Sequence, residues 1–478
     1  MKVHVLREPD LQFAGSGVHV DIRAGLSKHG AFDRGAPNVP VPISLGLIGT
    51  TATVDQVRDW IESCRDGVAS QEEKLKELRP SFPGMREQIF GTRLAISDVT
   101  TRTISRHELQ STLVGTESIG RLVDLFMGHA RDLAGRGHLN VLVIAPPVEV
   151  FALGDAPPTP ADGPIDEGQE RKGRRYVANF HDSFKAQALD LAAPSQLLRP
   201  DTYGGGNTRT HAARRPSLQE PATRAWNFHT ALYYKAGGVP WRLVRHSAAL
   251  ATCYVGASFF KSTDQTRLAT SVAQVFNERG EGLILQGGNA TIDRSDLTPH
   301  LSAEDAHRLL ANGLAAYRRE HRTMPARVLV HKTSYFNDAE IEGCRMAAKE
   351  ERVEVLDLVS VRRAGARLLR AAVPAVVRGT TLTFDDRSGI IYLKGTVPYF
   401  RTYPGMYVPR ALEFTRDDGE TPAVELAKEL LDLSKLNFNN TQFDSGDPIT
   451  VRAARRVGDI LKHVRADRTI QSRFRYFT

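Results

Sequence analysis

Four residues in the first half of the chain have the types and spacing to hold a phosphate: His181, Lys185, Gln196 and Lys235. A phosphate is bound by cations and polar donors that converge on one point. His181 and Lys185 stand four apart in NFHDSFKAQAL, so on a helix they share a face. Gln196 follows on the next segment, and Lys235 ends a later helical stretch. Thr202, and Asn227 two turns before Lys235, are candidate further contacts. Each residue alone reads as a surface group; together their types suit an anion pocket.

The charge pattern points the same way. The 478 residues carry 63 Lys+Arg against 55 Asp+Glu, a net +8. Between 451 and 478 lie Arg452, Arg455, Arg456, Lys462, Arg465, Arg468, Arg473 and Arg475, against only Asp459 and Asp467. A second basic stretch is Arg362, Arg363, Arg367 and Arg370. These are either solvated helix faces or a surface that tracks a phosphate backbone.

Composition excludes several classes. With 41% hydrophobic and 25% charged residues the chain is ordinary globular material, not a disordered one. Three cysteines, Cys64, Cys253 and Cys344, make neither a disulfide framework nor a zinc spacing, which suits a reducing compartment. No apolar run reaches the roughly 18–20 residues of a membrane span. The opening MKVHVLREPD lacks an apolar signal core. The expected location is cytoplasmic, with no membrane contact. The GGG at 204–206 lacks the GK[ST] ending of a phosphate loop, and no GxGxxG or nucleophile elbow occurs.

Strands and helices alternate, so the expected class is α/β. The pattern predicts a strand over 41–48, a long helix over 54–78 broken by SFPG, and a helix over 117–133. LNVLVIAPP at 139–147 is a continuous apolar run of the kind buried in a parallel sheet. Solvated loops are expected at 154–170 and 203–221. Helices over 180–191 and 223–235 flank a strand at 194–200, and Gly237-Gly238 stops the second helix. Further strands are expected at 248–260, 280–288, 327–334 and 353–361, with an antiparallel pair within 379–397. Ser302 can cap a helix over 303–320, and helices over 423–433 and 451–465 close the chain.

Several segments, taken in order, resemble Argonaute proteins. CYVGASFF, RVLVHKTS, DLVSV, GTVPYFRTYPG and PITVRAARRVGDILKH are similar to pieces of a PIWI domain. NFHDSFKAQAL, PSQLLRPDTY and WNFHTALYYKAGGVPWRL are similar to a MID domain, and DIRAGLSKHGAFD and PSFPGM to the start of prokaryotic members. With no PAZ-like region before the MID part, the chain resembles the short prokaryotic Argonautes. The resemblance implies a Rossmann-like MID domain followed by a ribonuclease H-like PIWI domain. It divides the chain into an N-terminal part packing with MID (1–135), the MID core (136–245) and PIWI (246–478). It makes His181, Lys185, Gln196 and Lys235 the pocket for a guide 5′ phosphate, with His181 where relatives often carry Tyr. It also suggests a structural Mg2+ beside that phosphate, held by the C-terminal carboxylate of Thr478.

Ribonuclease H-like nucleases cleave with two metal ions held by carboxylates. By the resemblance, the ligand positions fall on Tyr254, Lys332 and Arg455, and their neighbours Cys253, His331 and Ala454 supply no carboxylate either. The expectation is an inactive PIWI domain, not an enzyme, in which those three residues sit together and face a nucleic-acid duplex. A rearranged carboxylate set drawn from Asp264, Asp293, Asp296 and Asp357 is the alternative that would leave a nuclease. The implied partners are a guide RNA, a single-stranded DNA target and an APAZ-containing effector subunit. A sirtuin-like NADase is the first expectation for that effector, with TIR or nuclease types as alternatives, acting against plasmids or phages.

Overall fold

The computed structural model describes residues 1–71, 76–114, 118–153, 179–204, 219–244, 250–263, 268–276, 281–293, 297–369, 375–403, 408–443, 446–464 and 471–478. The chain opens with β1 (Lys2–Val5) and then folds into a parallel α/β unit. Its strands are β2 (Ile43–Thr50), β3 (Leu94–Ile104), β4 (Val141–Ala145) and β5 (Ser195–Leu197), in the order β3-β2-β4-β5, all parallel. The flanking helices are α1 (Thr51–Ser63), α2 (Ser118–Gly135), α3 (Phe180–Ala188) and α4 (Pro221–Lys235). Every residue of β4 is buried, as a central strand with helices on both faces requires. Leu142 and Ile144 pack with Phe126 and Phe184 on one face, while Val141 and Val143 join Val57 and Trp226 on the other.

A nine-stranded mixed sheet follows. It is built from β6 (Thr252–Lys261), β7 (Leu268–Phe276), β8 (Glu281–Asn289), β9 (Arg327–Lys332), β10 (Val355–Arg363), β11 (Thr380–Thr383), β12 (Ser388–Ile391) and β13 (Leu412–Asp418), with β1 as its edge. The order is β1-β11-β12-β13-β10-β9-β6-β7-β8, and the parallel neighbours are β10–β9 and β9–β6. α5 (Ala303–His321) and α6 (Asp338–Glu350) cover one face, against Val255, Val328 and Val330. α7 (Ala423–Leu433) and α8 (Ile449–Leu461) cover the other, against Leu329, Val359 and Phe414. Gly256 permits the tightest approach: a Cβ there would stand 2.1 Å from the Thr450 carbonyl oxygen, so α8 lies directly on β6.

Three expectations need correcting. The helix expected over 54–78 ends at Ser63, because the chain turns at Gly67 (φ +110°) to pair Val68 with Phe82. The division at 135/136 falls within a single sheet, since β2 and β3 lie beside β4. β1 does not belong to that sheet at all but closes the edge of the nine-stranded one, paired antiparallel with β11. The expected boundary at 245/246, the loop at 154–170 and most of the loop at 203–221 lie outside the described residues.

A buried ion network fastens the opening segment to the second half. Arg378 Nε donates to both Glu8 carboxylate oxygens, and Lys435 Nζ stands 3.0 Å from Glu8 Oε1. The two cations hold the Glu8 carboxyl below its usual range, against burial, which alone would raise it.

Candidate functional site

The four pocket residues named from the sequence arrive on three elements. Asn179 caps α3 by accepting from Asp182 N (2.7 Å), which starts the helix so that His181 and Lys185 share one face. β5 carries Gln196 beside them. Lys235 ends α4, and Gly237 (φ +117°) lets the chain leave that helix in a conformation few other residues adopt.

Lys185 and Lys235 converge on one atom, the main-chain oxygen of Thr478. Lys185 Nζ donates to it and to Ser195 O, and Lys235 Nζ donates to it (2.6 Å) and to Thr478 Oγ1 (2.7 Å). Both lysine side chains are buried, with about 1% exposure each. Gln196 is half-buried and donates to Leu197 O at 3.1 Å, next to the Ser195 carbonyl that receives Lys185. Ser195 Oγ is buried with no hydrogen-bond partner.

The residue that sequence reasoning missed is Arg456. From the second turn of α8 its Nη1 donates to Asp182 Oδ1 (2.9 Å), and its Nη2 lies 2.8 Å from His181 Nδ1. The signal was present as the Arg455-Arg456 pair in the basic tail, but nothing in the spacing shows that α8 crosses to α3.

The electrostatics follow from this crowding. Burial, with Lys235 and Arg456 close by, holds the Lys185 ammonium well below the usual lysine range. Burial and Arg456 push Lys235 down to about 7. Lost hydration and the charge of Arg456 push His181 down to about 4, so its ring is neutral near pH 7. Burial alone would raise Asp182, but the His181 hydrogen bond and the Arg456 charge lower it. Lys185, Lys235 and Arg456 thus crowd together around the Thr478 oxygen and the Asp182 carboxylate.

Of the ligands of a magnesium ion beside a phosphate, which include waters and phosphate oxygens, the protein was expected to supply one. Mg2+ demands about six oxygen ligands in near-octahedral array. The one ligand expected from the sequence, the Thr478 main-chain oxygen, is already shared by two ammonium groups. Among the described residues no group of three or more His, Cys, Asp or Glu could hold a metal.

Thr202 and Asn227 bond to other groups. Thr202 lies in the short helix Pro200–Tyr203, where its carbonyl accepts from Arg224 (2.6 Å). Asn227 sits eight residues before Lys235, a rise of about 12 Å along α4. Its Oδ1 accepts from Thr441 N (2.9 Å) and Oγ1 (2.8 Å), fastening the segment before α8.

The expected cluster of Tyr254, Lys332 and Arg455 does not form. Tyr254 is in register with Leu329 and packs with it on the α7–α8 side of the sheet. Lys332 is in register with Ala257, on the opposite face, because side chains alternate along a strand. There it is 2% exposed, donates to Glu340 and to Tyr335 O (2.7 Å), and lies over the Phe336 ring. Burial lowers its pKa although Glu340 opposes the shift. Arg455 faces elsewhere, bonded to Asp447 Oδ2 at 3.2 Å.

The alternative carboxylate set is not assembled either. Asp357 is fully buried and receives Arg327 Nε (2.8 Å) and Thr421 Oγ1 (2.7 Å), near the opposite end of β9 from Lys332. Asp293 is exposed beside the 291–292 strand, and Asp264 and Asp296 lie outside the described residues.

No protein-family model and no curated protein sequence matches the chain. Solved structures do. The structure of Clostridium butyricum Argonaute bound to a guide DNA (5′ deoxycytidine) and a 19-mer target DNA matches with a TM-score of 0.67 at 13% identity, covering 97% of this chain and 53% of that one. Drosophila Piwi matches with a TM-score of 0.62 at 12% identity, covering 99% of this chain and 56% of that one. The chain thus has an Argonaute-like α/β fold, a Rossmann-like MID sheet followed by a ribonuclease H-like PIWI sheet. It spans about half the length of the solved structures it matches. Among the described residues no helix is long and apolar enough to cross a membrane.

Proposed function

We propose that the chain binds a 5′-phosphorylated guide strand and recognises a complementary target without cutting it, in the manner of a short Argonaute without a PAZ domain. The observation that carries the reading is the pair of buried lysines meeting at one point, with Arg456 beside them. A phosphate monoester supplies the missing negative charge, and its oxygens accept from ammonium groups directly, so no divalent ion is needed there. Its guide is RNA and its target single-stranded DNA. Base pairing supplies sequence, while the protein reads the backbone and the 5′ end.

The PIWI part is catalytically inactive. This rests on the commitment of Asp357 to Arg327 and Thr421 and, by the resemblance alone, on the absence of a carboxylate at Tyr254, Lys332 and Arg455. Catalysis belongs to an APAZ-type effector subunit, an NADase of the sirtuin class, switched on by target binding in cytoplasmic defence against plasmids or phages.

The test is direct. Purified protein is titrated with labelled 5′-phosphorylated and 5′-hydroxyl guides, then given complementary target with magnesium. Preference for the phosphorylated guide and an intact target are expected. Equal binding of both guides removes the pocket assignment, and magnesium-dependent cleavage of the target removes the inactive reading.

A further inference from the structure

The nine-stranded sheet ends at β1 in an open edge. β1 pairs with β11 in an unbroken antiparallel register: Lys2 with Thr383, Val3 with Leu382, His4 with Thr381 and Val5 with Thr380. In such a ladder bonded and non-bonded pairs alternate. The Thr380 carbonyl turns to Tyr392 N on the β12 side (2.9 Å), and Leu6 N donates to Gly379 O (3.1 Å), so the bonded pairs with β11 are those of Lys2 and His4. The main-chain N–H and C=O of Val3 and Val5 therefore point away from β11, to the open side.

Their side chains are open too, with 66% and 64% exposure. Val3 stands beside Leu382, which packs on a small core containing Ile390 and Tyr392, so the two valines prolong that core without a cover. The devices that usually blunt an edge are missing from this face. β1 has no proline and no bulge, and Lys2 projects to the opposite face with His4. Nor does the strand hang loose, since Glu8, three residues after it, is held by Arg378 and Lys435. Charge is distributed unevenly along the edge. Arg7, with 86% of its side chain exposed, lies beyond one end of β1, and the exposed turn residues Asp385 and Asp386 lie beyond the other.

We propose that β1 pairs antiparallel with β1 of a second copy of this chain, about a two-fold axis at His4, so that the two sheets join edge to edge. Val3 then exchanges both main-chain bonds with Val5 of the second copy, and Val5 with Val3 of the second copy, which makes four bonds. The four valines form one apolar cluster between the two small cores, and Arg7 of each copy is brought to the Asp385–Asp386 end of the other. The contact is isologous: each copy offers the same strand. Two four-residue strands bury less than the about 1,200 Å² of a stable interface, so the dimer is weak and forms with concentration. This inference stands on the sheet alone and does not depend on guide binding.

The experiment follows the full chain by sedimentation velocity from micromolar to sub-millimolar concentration, where a dimer should grow in and dissociate again on dilution. V5P removes the outward N–H of Val5 and no bond to β11, and so takes away two of the four bonds between copies. It should weaken association about five- to a hundredfold. V3K puts an ammonium into the apolar cluster from a side chain that is already exposed, and should weaken association as well. Thermal melting checks that both are folded. H4C reports the register: His4 meets His4 of the second copy as a non-bonded pair with Cα atoms about 4.5 Å apart, within the span of a disulfide. Under mild oxidation H4C should give a reducible covalent dimer and V3C should not. Cys64, Cys253 and Cys344 are buried and stay out of the reaction.

A chain that stays monomeric at every concentration, a dimer indifferent to V5P and V3K in folded protein, or equal cross-linking of H4C and V3C overturns the pairing. A monomer whose β1 amides gain protection from hydrogen exchange on addition of an octapeptide of alternating valine and threonine overturns the second copy as the occupant and gives the edge to a foreign strand.

Discussion

Replacing Lys235 with Met tests the lysine pocket because it keeps the buried stem and removes only the ammonium. The structure sets the size of the effect. Lys235 Nζ has three N–H donors and spends two on Thr478, at 2.6 and 2.7 Å, which leaves one for a phosphate oxygen. A hydrogen bond to a charged partner contributes about 1.5–3 kcal/mol, or roughly ten- to a hundredfold in affinity. K235M should therefore weaken binding of a 5′-phosphorylated guide by that factor and leave a 5′-hydroxyl guide almost unchanged. K185M/K235M should lose more than either single variant but less than the product, since both ammonium groups share the Thr478 oxygen. The folded protein should melt no lower, because an ammonium held at about 7 by burial is already poorly accommodated. Fluorescence anisotropy with the two guides, side by side, reads the difference. Equal loss for both guides would show that Lys235 supports general backbone contact or the fold, and the pocket argument would fail.

The same lysine makes binding depend on pH. With Lys235 pushed down to about 7, guide phosphate must bring a proton with it above that pH, so affinity should fall by up to about tenfold per pH unit between pH 7 and 9. In the free protein the sign for stability is opposite: the unfolded chain binds more protons from pH 7 to about 10.4, so this group makes stability rise with pH across that window, readable by denaturant titration. Arg456→Ala leaves the Asp182 carboxylate without its cation and should cost about 1–3 kcal/mol of stability, together with a loss of phosphorylated-guide binding that Arg456→Lys partly restores. Glu8→Ala strands Arg378 and Lys435 as buried cations and should cost about 3–5 kcal/mol in urea unfolding, whereas Val99→Ala, on an exposed side chain, should cost almost nothing. Asp at Tyr254, Lys332 and Arg455 together should not restore cleavage, since Tyr254 and Lys332 project from opposite faces of the sheet; a magnesium-dependent product would show that reading of the register to be wrong.

Local pattern carried much of the architecture. The apolar run that became β4 and the Gly237-Gly238 stop after α4 are visible in single segments, because burial and left-handed backbone leave local marks. The set His181, Lys185, Gln196 and Lys235 came from the resemblance; only the four-residue spacing of His181 and Lys185 is a local mark. What stayed hidden depends on distant pairings. Arg456 reaches Asp182 across 274 residues, and no helical period announces which element α8 will cross. The convergence of Tyr254 and Lys332 failed on parity: one residue of register decides the face, and sequence similarity does not fix it. The helix expected to run on to 78 stopped early because Gly67 and the Val68–Phe82 pairing overrode a helix-favouring run of charged residues.

The attachment of β1 has a consequence for synthesis. Glu8 must wait for Arg378, 370 residues later, and β1 for β11 in the same region. At about 5–20 residues per second, that is roughly 20–75 s of translation after Glu8 is made. Meanwhile the MID-like sheet, whose strands all lie within residues 43–197, has everything it needs to form. The nascent chain therefore carries a folded parallel unit with β1 still unpaired, and such long-range closure is slow even after release. Until it happens, β11 presents an open edge to any other strand nearby. A strand made before the whole parallel sheet is among the last to find its place.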